Sequence, residues 1–157
     1  MATPIVEQIA AAIATQLGTI CPAEGYQTTP TAVVRPTRVN HLITPQEGNL
    51  ILTQDDAEVL ELLNGNPPTL VWRQGWNVDI VWRPSDAATE PADTTFNLWA
   101  ADVEKAVMAV PQWGGLAVNT ELIGRTFAPP NADGIDGITV TFAVTYRVDE
   151  DDPYTKA

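Results

Sequence analysis

One cysteine and one histidine, Cys21 and His41, are all the chain has of either residue. A single thiol cannot close an internal disulfide, and a single imidazole cannot build a His-rich metal site, so disulfide-stapled scaffolds and zinc modules are excluded. Cations are scarce as well. Eight Lys and Arg stand against twenty Asp and Glu, a formal charge of −12 and a pI near 4.2. Such a chain has little with which to neutralise phosphates or meet anionic headgroups, which disfavours gripping of nucleic acid and electrostatic membrane binding. Long apolar runs are also missing. The most apolar stretch near the start, Ile5 to Ile20, is interrupted by Glu7, Gln8 and Gln16 and follows no basic segment. It is expected to be neither a secretory signal nor a membrane span. The product is expected to be soluble and to stay where it is made, or to be built into something there.

Motifs that carry chemistry are absent too. The sequence has no Gly-rich phosphate loop, no G-x-S-x-G, no H-E-x-x-H and no cysteine cluster. Cys21 lies beside Pro22 in a loop with His41 as its one possible imidazole partner, and the plainer reading is a partly buried loop thiol. Asp133-Gly-Ile-Asp136-Gly resembles a fragment of a calcium loop but lacks the acidic ladder and the closing Glu, so two Asp-Gly turns are the simpler account. The run Asp149-Glu150-Asp151-Asp152 could gather a divalent cation, yet a solvated, self-repelling tail is the simpler reading. No catalytic, cofactor-binding or metal residue is assigned, and no enzymatic activity or cofactor is expected.

What is present suits a single small domain. The 157 residues are 45% hydrophobic, enough to bury a core. Thr3-Pro4 is expected to open a helix, with the Thr3 hydroxyl as cap and Pro4 at the first helical position. Ile5, Ile9, Ile13 and Leu17 form its apolar stripe, and Gly18 can end it. Cys21 to Pro30 reads as loop, Thr31 to Val39 as an edge strand broken by Pro36, and Asn40 to Gly48 as loop. Asn49 to Thr53 is a short strand. Gln54 to Leu63 fits a short helix capped by Thr53, though the same residues could continue the strand. After the break at Asn64-Gly65-Asn66-Pro67-Pro68, two strands, Leu70 to Arg73 and Gly75 to Arg83, are expected across a Gln74-Gly75 turn. Ser85 to Asp93 reads as a flexible loop, and a second helix follows from about Thr95 to Val110 with Phe96, Trp99, Val103 and Val107 on one face. Leu116 to Ile123 reads as a strand and Phe127 to Gly137 as a loop. Ile138 to Val148 alternates strictly and is the clearest strand. The expected fold is α+β: a mostly antiparallel β-sheet with two main helices packed on one face and long loops, residues 1–148, then an acidic C-terminal tail, 149–157.

Five tryptophans, at 72, 76, 82, 99 and 113, are many for this length. Periodicity places Trp76, Trp82 and Trp99 in a core. Trp113, in a Pro-Gln-Trp-Gly-Gly break, belongs to no face and is a candidate for a protein–protein contact.

The order of segments carries a resemblance. An N-terminal helix, Val33-Val34-Arg35-Pro36, a Trp-rich strand pair closing with Trp82-Arg83-Pro84-Ser85-Asp86, and a helix containing Ala101-Asp102-Val103-Glu104-Lys105-Ala106-Val107 follow in turn. A last strand, Val140 to Arg147, then runs into Asp151-Asp152-Pro153-Tyr154. This arrangement, over nearly the whole chain, resembles the tail terminator (tail completion) proteins of long-tailed bacteriophages. The resemblance implies a structural virion protein, assembled in the host cytoplasm, that forms a homo-oligomeric ring, typically a hexamer, at the tail–neck junction. Its partners would be the tail tube protein and a head-side neck or connector protein, with DNA passing through without specific binding and no membrane contact. The alternatives are a head–tail connector or head-closure protein of the neck, or a monomeric binding module using the Trp-rich hairpin as a platform. Under the ring reading, the loops Cys21–Pro30, Ser85–Asp93 and Phe127–Gly137 make contacts. Trp113 and Tyr154 would be aromatic anchors, and Asp149, Glu150, Asp151 and Asp152 would meet Arg35, Arg38 or Arg125 of the next subunit.

Overall fold

The computed structural model describes residues 2–36, 49–82, 89–128 and 136–157. Among these the chain runs α1 (Ile5–Leu17), β1 (Ala32–Val34), β2 (Asn49–Leu63), β3 (Thr69–Trp82), α2 (Ala92–Ala109), β4 (Asn119–Ala128), β5 (Asp136–Asp149) and β6 (Asp152–Lys156). Short 3-10 turns at Pro22–Glu24 and Trp113–Gly115 follow the two helices. The sheet order is β1-β2-β3-β5-β4, with β6 also paired to β5. β1 runs parallel to β2, and every other pair is antiparallel.

Both helices lie on one face, as the apolar stripes require. Ile5, Ile9, Ile13 and Leu17 of α1 and Phe96, Trp99, Val103 and Val107 of α2 are buried in one cluster with Val78, Ile80, Ile138, Val140, Phe142 and Val144 of the sheet. Burying each such side chain contributes roughly 1.5–3 kcal/mol. Strict alternation in β5 puts Ile138, Val140, Phe142, Val144, Tyr146 and Val148 on this face. Its other face carries Thr139 and Thr141, whose hydroxyls donate to Asp79 (2.5 Å) and Asn77 (2.9 Å) across the strand pair.

Several expectations need correction. Pro4, not Thr3, is the N-cap of α1, and no side chain caps it. The Thr3 carbonyl instead accepts a 2.8 Å bond from Gln8 Nε2. Gly18 does end α1, but in the right-handed region at φ −67. α2 starts at Ala92, so it takes in residues read as the end of a loop. β1 is three residues long and does occupy an edge. The loop read at Asn40 to Gly48 lies outside the described residues.

Gln54 to Leu63 is strand, not helix. Two register shifts, between Gln54 and Ala57 and between Val59 and Glu61, break the two-residue alternation and leave apolar residues at spacings that imitate a helix. Hairpin pairing with β3 across the tight Asn64–Pro68 turn satisfies the backbone groups that face β3.

Gln74-Gly75 is not a turn either, because β3 runs unbroken from Thr69 to Trp82. Glycine is needed at 75 because the β2 bulge crosses it closely. A Cβ there would meet Asp55 Cβ at 3.1 Å and the Asp56 carbonyl oxygen at 3.2 Å. The buried Gln74 holds the bulge down, its Nε2 donating to the Asp55 carbonyl at 2.6 Å.

β4 begins and ends later than expected, reaching Ala128. The acidic C-terminal segment folds back as a strand while its side chains stay largely exposed. After a turn at Glu150 and Asp151, β6 doubles back on β5, and the Glu150 N–H donates to the Pro68 carbonyl at 2.8 Å. Asp152 makes the return possible by accepting from the Tyr154 N–H (3.0 Å) and the Thr155 hydroxyl (2.6 Å).

Candidate assembly surfaces

Trp113 is core, 2% exposed, and not a surface anchor. It adopts φ +48 and is followed by Gly114 and Gly115 at φ +69 and +87. Three successive left-handed residues swing the indole inward, and the two glycines make the path sterically cheap. Inside, Trp113 Nε1 donates to Thr120 Oγ1 at 2.8 Å. Trp76 and Trp99 are likewise buried, and Trp72 is half-buried. Among the described tryptophan side chains, none offers an open aromatic platform.

The proposed cationic partners are engaged within their own chain. Arg35 makes a two-pronged pair with Glu7 at 2.7 and 3.0 Å. Hydrogen bonding from Arg35 holds the Glu7 carboxyl below its ordinary range, and the same bond raises the guanidinium. Arg125 pairs with Glu104 of α2 at 2.5 and 2.7 Å, which raises its own value too. Arg38, His41 and Asp133 lie outside the described residues. In the C-terminal segment, Asp149 is half-buried at the end of β5, while Glu150, Asp151 and Tyr154 are exposed. Asp152 is held below the ordinary carboxylate range, first by the Thr155 hydroxyl and then by the Tyr154 N–H. The structure therefore keeps Glu150, Asp151 and Tyr154 as outward-facing groups and gives Arg35, Arg125 and Asp152 internal partners.

The loop 21–30 is bound down as well. Asp102 of α2, 4% exposed, accepts at Oδ2 from Gln27 N (2.8 Å), Thr28 N (2.7 Å) and Thr28 Oγ1 (2.7 Å). Lys105 Nζ donates to the Gly25 carbonyl at 2.6 Å and lies 4.8 Å from the Tyr26 ring centroid. These bonds hold the loop against α2 while Pro22, Ala23, Glu24, Gly25, Gln27 and Thr29 stay exposed.

Large apolar side chains left in solvent are found elsewhere. Val59, Leu60 and Leu62 on β2 and Leu122, Ile123 and Phe127 on β4 are between 42 and 53% exposed. Their strands explain why. The distal half of β2 extends past the helices, and β4 is an edge strand whose residues from Glu121 to Ala128 are all exposed. Phe127 still meets α2, edge-on to Phe96 at 6.4 Å between ring centroids. Sequence reading missed these six. For the three on β2 the pattern Glu58-Val-Leu-Glu61-Leu-Leu, apolar on both faces of a strand, is the signal, hidden by its helix-like spacing.

The sheet face away from the helices is rich in polar groups, with Ile51, Val71 and Ala143 buried among them. Asp55, Asp56, Glu58 and Glu121 crowd it, and Arg73 bridges Glu58 at 3.3 Å and Glu121 more tightly. Between the β2 bulge and Ile123 lies a shallow groove of about 300 Å³ floored by Gly75 and Ala143. Among the described residues no group of three His, Cys, Asp or Glu is placed to hold a metal ion. No described helix is long and apolar enough to cross a membrane.

No protein-family model matches the chain, and no curated protein matches it significantly. Among solved structures, it is similar to a chain of the virion of a native gene transfer agent (GTA) particle, with a TM-score of 0.36 and 11% identity over 90% of each chain.

Proposed function

We propose that this chain is a non-catalytic structural component of a phage-type virion, a ring-forming tail terminator that caps the tail tube, stops its growth and joins it to the head-side neck. The reading grows from the sequence resemblance, and one structural observation supports it: six large apolar side chains stand half in solvent on two strands at opposite sides of one sheet. Exposure of that kind marks surfaces made to be covered. The burial of Trp76, Trp99 and Trp113 speaks against a monomeric module that stacks ligands on tryptophan. The charge of −12 suits a passage for DNA, since an acidic lumen does not hold phosphates.

A gene knockout tests the role. Heads should fill normally, while tail tubes should run past their set length or fail to join heads. Leaky heads beside finished tails of normal length would replace the terminator with a head-side connector.

A further inference from the structure

We infer that copies of this chain join edge to edge, β4 of one subunit pairing with the distal half of β2 of the next. The inference rests on the ring reading and names the contact that would build the ring.

Three features point to this pairing. The first is polarity. β2 is antiparallel to β3, β3 to β5 and β5 to β4, so β4 runs opposite to β2. A neighbour placed by rotation about a ring axis presents its β2 antiparallel to this β4, and the alternation continues without a break.

The second feature is chemical. Among the described residues, β1 covers the outer edge of β2 only at Asn49, Leu50 and Ile51, and nothing pairs with the outer edge of β4. Each edge therefore shows backbone N–H and C=O groups that no described strand pairs. Each also carries exposed apolar residues pointing to the helix-covered side. Val59 and Leu62 lie across from Trp72 and Leu70, and Leu122 and Phe127 lie across from Phe142 and Ile138. Pairing would satisfy the backbone and cover both apolar rows in one step. The bulges on both strands and the acids on the β2 polar face discourage indiscriminate partners, so a matched strand is needed.

The third feature is stagger. Across the sheet, β4 lies alongside Gly137 to Thr145 of β5, whereas the free part of β2 lies level with Val140 to Asp149. The two edges are thus offset by three to four residues, or ~10–14 Å at ~3.4 Å per residue. β1 enforces the offset, because it blocks β2 at Asn49–Ile51. One subunit step crosses four strand spacings of ~4.8 Å, so the stagger tilts the strands by about 28–35°, close to the lower end of the roughly 35–45° range of closed β-barrels. Edge pairing with this stagger is compatible with a closed ring.

Cysteine pairs test the contact in a Cys21→Ser background. Val59, Leu60 or Leu62 is changed to Cys together with Leu122→Cys or Ile123→Cys, and the assembled protein is oxidised with diamide. Neighbouring strands bring Cα atoms within disulfide reach. Doubly substituted chains should give a ladder of covalent multimers, and mixtures of the two single variants should give the mixed dimer in preference to either homodimer. Wild-type mass is measured alone and with purified tail tubes. If the chain assembles but none of the six pairings crosslinks, or homodimers dominate, this contact is wrong and the ring reading stands. If the wild type stays monomeric even on tubes, both fall. As a second measurement, Leu62→Lys with Ile123→Lys should weaken self-association at least tenfold with an unchanged melting midpoint. Unaltered association would overturn the pairing.

Discussion

The Trp113 indole N–H donates to Thr120 Oγ1 at 2.8 Å, and the Thr120 hydroxyl in turn donates to the Pro111 carbonyl at 2.8 Å. This relay ties the turn after α2 to the start of β4, and it needs an oxygen at 120. Thr120→Val should lose ~1–3 kcal/mol by leaving a buried donor and a carbonyl unpaired, while Thr120→Ser should keep most of that. Trp113→Ala should cost ~3–5 kcal/mol. Chemical denaturation measures both. A Trp113→Ala chain of full stability that fails to assemble would return this residue to the surface role its sequence context suggested.

Phe142 is fully buried at the centre of β5, across from Trp76 and Leu122. Phe142→Ala should cost ~3–5 kcal/mol. Unchanged melting would mean that the strand's faces are assigned the wrong way round.

Asp102 gathers three donors from the 21–30 loop on one oxygen. Asp102→Ala should destabilise the fold by ~1.5–3 kcal/mol, the range for hydrogen bonds to a charged group. The Gln27 and Thr28 amides should exchange hydrogen markedly faster. Exchange at the wild-type rate would show that the loop is held by other contacts.

Stability should vary with pH in two directions. Glu7 and Asp152 have carboxyl groups held below their ordinary values, so the folded state binds fewer protons there than the unfolded chain. Their stabilisation is present above the unfolded-state value and declines from roughly pH 4 downward. Burial raises the Tyr146 phenol, so its contribution is complete at neutral pH and is lost above roughly pH 10. Melting midpoints across the range should fall at both ends, and Glu7→Gln should flatten the acid limb.

If the protein is purely structural, Cys21 and His41 have no chemistry to perform. Phage assembled with Cys21→Ser and His41→Ala should form in normal numbers and infect normally. Folded but non-infectious particles would call for a catalytic or redox role.

Much of the architecture was legible in the residues. The stripe Ile5, Ile9, Ile13 and Leu17 can be buried only as a helix, and the alternation from Ile138 to Val148 only as a strand with one covered face. Those periodicities are local, and the shared face of the two helices, expected from them, is borne out by the buried cluster. The contact residues were not legible. Charge made Arg35 and Arg125 look available, but their nearness to Glu7 and Glu104 arises from packing between segments 28 and 21 residues apart.

The sequence by itself determined the helices, the central strand and the acidic, motif-free character of the chain, because each depends on neighbours a few positions away. Tertiary structure decided the rest. Gly75 extends a strand instead of turning it because a distant bulge passes over it, and Gln54 to Leu63 is a strand because Thr69 to Trp76 is there to pair with it. Trp113 is core because Thr120 receives its N–H, and Leu60 and Ile123 stand in solvent because no described part of the chain reaches their edges. Hydrogen-bond partners and solvent exposure are properties of what lies across the fold, and no local pattern of residue types encodes them.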